Sequence, residues 1–153
     1  MSSSKSTYLP IFGGAINSFS EFLKKIKKEL YSSNGSGLNE KVILSLIHNY
    51  GSEYKEVTKY IDEKPELSKT LGNSSVLKAE VIHAVKEEMA QKLSDVVLRR
   101  TDLGTAEYPG KETLRDCANL IASELNWNDK RVDEELAQVE KFYENHASIK
   151  NYN

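Results

Sequence analysis

From Phe19 onward the apolar residues Phe19, Phe22, Leu23, Ile26 and Leu30 fall at helical spacing, which stacks them on one side of an α-helix. Ser18 precedes them with Glu21 three residues on, the reciprocal pairing of a capping box, and the helix is expected to end near Tyr31. The polar run Ser32–Gly37, SSNGSG, is the most flexible-looking internal stretch. A second stripe follows it: Val42, Ile43, Leu46, Ile47 and Tyr50, with Asn39 placed to cap the helix and Leu38 and Ile43 at staple positions. Gly51 supplies a stop. Ser52 is expected to open a further helix through Tyr54, Val57, Tyr60 and Ile61, which Pro65 prevents from continuing. Together these two helices make a helical hairpin.

The spacing Leu77, Val81, Val85, Met89, Leu93 predicts one side of a long helix, widened by Ile82 and Val96, with a break or bend near Lys92. Ser94 is then positioned to cap a separate short helix, with Leu93 packing on Leu98. Arg99 and Arg100 stand in its last turn, where positive charge favours a helix C-terminus. After Gly104 and Pro109-Gly110, a helix over about Lys111–Leu125 is predicted. Asn128 caps a final helix carrying Val132, Leu136, Val139, Phe142 and Tyr143, with Trp127 and Val132 as staple. Only YLPIFGG, at Tyr8–Gly14, reads as extended, and Gly13 and Gly14 permit positive φ where it turns into the first helix. The class is all-α: a compact orthogonal or up-down bundle of about six helices with an extended N-terminal segment. Residues 1–7 are expected to be disordered or foreign to the natural chain, 8–146 to form a single helical domain, and 147–153 to be a frayed tail.

The 153 residues suit one domain, which buries about 70% of the surface its unfolded chain exposes. A formal charge of −2 gives no global field that would draw the chain to nucleic acid or anionic lipid. The single cysteine, Cys117, shares the apolar register of Leu114, Ala118, Ile121 and Leu125, so it reads as a buried small hydrophobe. No apolar run approaches the roughly 18 residues of a membrane-crossing helix, and MSSSKST lacks the apolar region of a signal peptide. The expectation is a cytoplasmic chain.

Candidate chemistry is sparse. A dinucleotide site needs a strand leading into G-x-G-x-x-G so that a pyrophosphate meets bare backbone. Gly35-Ser36-Gly37 fails that pattern, because Glu40 stands at the third glycine position. His48, His83 and His146 are far apart and have no metal-ligand spacing, and His83 reads as a packed helical residue. The pairs Glu87-Glu88 and Glu134-Glu135 point about 100° apart on a helix, cannot form a catalytic dyad, and are expected to be solvated. Lys24, Lys25, Lys27 and Lys28 make a basic face. It suggests an alternative function, a stand-alone interaction module that meets a protein partner or an anionic surface; its plainer reading is a solvated helix face. A small independent enzyme is the third reading, with no nucleophile and base paired by motif.

The run AEVIHAVKEEMAQKLSDVVLRRTDLG at Ala79–Gly104 is more particular than its amphipathicity requires. Glu88, Met89, Ala90, Leu93, Asp95, Val96, Arg99, Arg100, Thr101 and Leu103 follow the order E-M-A-x-x-L-x-D-V-L-x-R-R-T-x-L. It resembles the C-terminal helical domain of the FAD-dependent glycerol-3-phosphate dehydrogenase and alpha-glycerophosphate oxidase family. LPIFGG at Leu9–Gly14, Tyr50-Gly51 and Glu124-Leu125-Asn126-Trp127 are similar to further family segments in the same order, so the resemblance covers roughly Tyr8–Tyr143. Two positions depart from it. His83 stands where the family commonly has tyrosine, and Asn126 replaces glycine, which asparagine tolerates because it visits left-handed backbone.

The resemblance implies a parent reaction that oxidises sn-glycerol 3-phosphate to dihydroxyacetone phosphate, passing a hydride from C2 to flavin N5 and then electrons to a quinone or to oxygen. It implies no catalytic, cofactor-binding or metal residue in this chain, which alone is expected to be inactive and colourless. FAD belongs to the parent, and the expected partner is the FAD-binding domain of the same polypeptide. No nucleic acid and no transmembrane segment are expected, a homo-oligomer is left open, and a peripheral membrane position would come only through the parent. The residues implied as interdomain contacts are Glu88, Asp95, Arg99, Arg100, Thr101 and Asp102. Either the two arginines grip carboxylates or carbonyls on the flavin domain, or they cap their own helix and pair locally with Glu88 or Asp95.

Overall fold

The computed structural model describes residues 13–32, 38–105 and 107–150. The expectations for residues 1–7, for the extended segment as far as Phe12, for the SSNGSG stretch from Ser33 and for the end of the tail at 151–153 lie outside the described residues. The architecture is all-α. Among the described residues there are seven α-helices, and the only β-pairing is an isolated antiparallel bridge between Thr70 and Leu77. The helix beyond the expected six or so is a single turn. The chain divides into two compact units at Ser68 and Lys69.

The first unit holds α1 (Phe19–Ser32), α2 (Glu40–Tyr50) and α3 (Lys55–Glu63). Asn39 caps α2 as its sequence position implies, its Oδ1 accepting the Val42 N–H at 3.0 Å. The buried face of α2 is Val42, Ile43, Leu46, Ile47 and Tyr50, and Val57, Tyr60 and Ile61 are the buried residues of α3. Ser52 does not open α3. Gly51, at φ +53, ends α2 by donating its N–H to Ile47, and the Ser52 N–H goes to the Gly13 carbonyl at 3.0 Å. Those commitments hold Gly51–Glu53 in a 3₁₀ turn and delay the α-helix to Lys55.

The second unit holds α4 (Lys78–Lys86), α5 (Leu93–Asp95) running directly into a π-helical turn at Val96–Arg100, α6 (Lys111–Leu125) and α7 (Asp129–Lys150). The predicted long helix from Leu77 is corrected here. It ends at Lys86, six residues before the expected break, because the Ala90 N–H turns back to the Ala84 carbonyl at 3.0 Å. That closure places Met89 at φ +59, in left-handed backbone that costs a side-chain-bearing residue about 1–2 kcal/mol. Met89 is therefore not part of the buried stripe. It is 80% exposed, and Ala90 takes the buried place.

A new helix does begin after Lys92. Its cap is Asp95 and not Ser94: the Asp95 Oδ2 accepts the N–H groups of Gln91 and Lys92 at 3.2 and 3.1 Å. The bounds of α6 match the sequence expectation, and Asn126 closes it in left-handed conformation at φ +56. Asn128 caps α7 by accepting the Arg131 N–H at 2.9 Å. The core of this unit gathers Leu93, Val96 and Val97 with Leu114, Cys117, Ala118 and Ile121 of α6 and Val132, Leu136 and Val139 of α7. Phe142, counted with the apolar stripe, stands out of that core and stacks on His146 at 4.0 Å.

Candidate functional site

The residues from Ala90 to Gly104, the densest part of the sequence motif, form a knot of hydrogen bonds around the π-turn. Its end is made by Thr101, whose N–H reaches the Val96 carbonyl at 3.1 Å while its Oγ1 donates to the same oxygen at 2.8 Å. That hydroxyl also accepts the Leu103 N–H at 3.3 Å. One buried threonine thus satisfies both ends of the turn, and Val lacks the oxygen to replace it. Beyond it the Gly104 N–H donates to Val97 at 3.0 Å, and the Tyr143 hydroxyl donates to the Gly104 carbonyl at 2.7 Å. A Cβ on Gly104 would meet Tyr143 Oη at 2.1 Å and Val97 Cγ1 at 2.5 Å, so glycine is required for close approach. Burial, and then the neighbouring Tyr108, raise the Tyr143 phenol above its ordinary pKa and keep it a donor.

Five of the six residues singled out by resemblance separate into two groups, with Glu88 apart from both. Asp95 and Thr101 are occupied with the backbone of this turn. Arg99, Arg100 and Asp102 are exposed. Arg99 pairs with Asp95 one turn earlier, Nη1 to Oδ1 at 3.3 Å, and not with Glu88; at 74% exposure the pair contributes a few tenths of a kcal/mol. The Arg100 side chain makes no hydrogen bond or ion pair among the described residues. Glu88 is half-buried, with Oε2 shielded from solvent and no hydrogen-bond partner for it among the described residues.

Glu135 overturns the expectation that Glu134-Glu135 is solvated. It is only 1% exposed, with Oε2 accepting the Leu93 N–H at 2.8 Å and Oε1 paired to Arg131 at 2.6 Å. The Arg131 guanidinium in turn lies over the Trp127 ring at 5.7 Å. A long-range carboxylate therefore caps the start of α5. The signal was present in the register: Glu135 stands three residues after Val132 and four before Val139, on the apolar side of α7. Glu80 is a second buried carboxylate not anticipated from the sequence, its Oε1 accepting the Leu77 N–H at 2.8 Å. It has capping-box spacing, hidden because Leu77 is not a Ser or Thr.

In the first unit, Lys24, Lys25 and Lys28 are exposed, whereas Lys27 is half-buried and paired with Glu40. Glu29 binds Lys55 at 2.7 Å, and that bond, against a smaller desolvation effect, lowers the Glu29 pKa. The basic face is thus partly compensated by carboxylates.

Among the described residues no group of three or more His, Cys, Asp or Glu is placed to hold a metal ion. The N-termini of α2, α4, α5 and α7 do not fit a flavin pyrophosphate. Such a ligand needs free backbone N–H groups, yet side chains of the chain itself occupy those of α2, α4, α5 and α7, with carboxylates at α4 and α5. Glu112 adds an acidic group in the first turn of α6. A cleft of about 390 Å³ beside α6 is lined by hydroxyls, an amide and the carboxylates of Glu107 and Glu112, a donor set that again disfavours phosphate. Among the described residues no helix is long and apolar enough to cross a membrane.

A family model for the C-terminal domain of alpha-glycerophosphate oxidase matches residues 4–132. Among curated proteins, a probable mitochondrial glycerol-3-phosphate dehydrogenase of Dictyostelium discoideum is 28% identical over 137 residues, which cover 88% of this chain and 20% of the relative. The chain thus spans about a fifth of that relative's length. No solved structure matches the chain at a significant level.

Proposed function

The chain belongs to the family of C-terminal domains of alpha-glycerophosphate oxidase, and from that premise we propose that it is the helical appendage of an FAD-dependent glycerol-3-phosphate dehydrogenase. In this reading it braces the flavin-bearing part of the parent enzyme. Oxidation of sn-glycerol 3-phosphate belongs to that other part, where bound FAD supplies the hydride acceptor.

The observation that carries the reading is how the motif residues are used. Asp95, Thr101 and Gly104 are spent on backbone hydrogen bonds and close packing, leaving Arg99 and Arg100 exposed on a hydrogen-bonded turn. Two guanidiniums held so are suited to bidentate grips on carboxylates of a neighbouring domain. The N-terminal N–H groups of α2, α4, α5 and α7, already occupied, and by carboxylates at α4 and α5, support placing the flavin elsewhere.

The purified chain should be colourless and should not reduce a dye when given sn-glycerol 3-phosphate. A yellow preparation, or dye reduction by the chain unaided, would remove the proposal. In the full-length parent, Arg99→Ala and Arg100→Ala should lower flavin retention or melting temperature. If activity, flavin content and melting temperature are all unchanged, the arginines do not brace the flavin domain.

A further inference from the structure

Two non-glycine residues among those described have positive φ, Asn126 and Met89. Asparagine is at home in left-handed backbone; methionine is not. The turn after α4 needs only the conformation, which glycine adopts freely. Met89 therefore carries a strained backbone, and its side chain, 80% exposed, makes little packing to offset the strain. Unrelieved local strain of this kind concentrates at sites whose side chain is needed for something other than folding.

Asp95 brings that turn and Arg99 together. Its Oδ2 holds the Gln91 and Lys92 N–H groups while its Oδ1 holds Arg99 Nη1 at 3.3 Å. One carboxylate thus ties the backbone just after Met89 to the exposed Arg99 guanidinium. Methionine fills irregular apolar recesses, and arginine is enriched at protein interfaces.

We propose that Met89 and Arg99 form a composite docking point for the catalytic portion of the parent polypeptide, the thioether entering an apolar recess and the guanidinium taking a carboxylate at its rim. The proposal rests on the accessory-domain reading above. One fact favours this occupant over a second copy or an unrelated partner. The relative is about five times the length of the matched region, so most of such a polypeptide lies beyond it. Covalent linkage also supplies a high effective concentration, so one apolar anchor and one charge are enough.

The test uses the 153-residue chain titrated by calorimetry against the separately produced flavin-bearing portion of the parent. Met89→Gly should raise the melting temperature of the chain and yet weaken binding about tenfold, as loss of an interface anchor does. Arg99→Ala should leave the melting temperature within error and weaken binding by a similar factor, while Met89→Leu should retain binding. If the unaltered chain binds but Met89→Gly binds equally tightly, the docking point is overturned and the accessory-domain reading survives. If the unaltered chain shows no binding, the docking point is overturned, and the accessory-domain reading stands or falls on the flavin content and melting temperature of the full-length parent. Concentration-dependent self-association that Met89→Gly abolishes would instead assign the surface to a second copy and overturn the proposal.

Discussion

A Cβ added to Gly51 would fall 2.0 Å from the carbonyl oxygen of Gly13, so these two glycines exclude every side chain from each other's position. Gly13 lies at φ +75, its own missing Cβ 2.6 Å from the Tyr50 carbonyl oxygen, and its carbonyl accepts the Ser52 N–H. The glycine pair ending LPIFGG and the Tyr50-Gly51 helix end, separate marks along the sequence, are one contact in the folded unit. Gly51→Ala meets both the left-handed backbone and a backbone clash, and should destabilise by about 3 kcal/mol. Urea denaturation of the two proteins checks this; a loss under about 1 kcal/mol would mean that the contact yields easily.

Thr101→Val keeps the shape of the side chain but leaves the Val96 carbonyl and the Leu103 N–H without the hydroxyl. The expected loss is about 2 kcal/mol, with Thr101→Ser recovering most of it. Thermal melts of the pair separate the hydroxyl's contribution from that of the methyl group.

Replacing Glu135 by Leu strands the Leu93 N–H and leaves Arg131 unpaired over Trp127. Because Arg131 is 40% exposed and regains water, the cost should be about 2–3 kcal/mol, below that of breaking a fully buried pair. Glu135→Gln keeps an acceptor for Leu93 and should cost less. A double-mutant cycle with Arg131→Ala measures the coupling, and additivity of the two single losses would show that the ion pair contributes nothing.

Cys117 is fully buried, and burial, aided by nearby Asp116, pushes its thiol up from 9.0 to about 12. A thiol-alkylating reagent at mildly alkaline pH should leave the native chain unmodified and label it stoichiometrically once unfolded. The raised pKa also sets a direction. This group's stability contribution is intact below the unfolded value of 9.0 and is lost as pH climbs from there towards about 12, because only the unfolded chain ionises readily in that window. Rapid labelling of the native chain would contradict the burial.

The ends of α2 and α6, the caps Asn39 and Asn128, and the apolar faces were legible because each depends on residues within a few positions of one another. The break before Met89 was not, since Leu77, Val81, Val85, Met89 and Leu93 keep perfect helical spacing across it. Periodicity records which residues are apolar and cannot record that the Ala90 N–H prefers the Ala84 carbonyl to continuing the helix. Likewise the run of Asp95, Arg99, Arg100 and Thr101 was visible as a cluster, but which members fold the turn and which face solvent was not.

By itself the sequence determined the helical class, the family and most helix boundaries, all set by local spacing and residue order. Only the tertiary structure decided that Glu135 leaves water to cap a helix forty-two residues away, that Gly13 and Gly51 meet, and that Met89 stands outward. Those outcomes rest on hydrogen-bond and steric demands between distant segments, which become physical constraints only when the chain has brought them together.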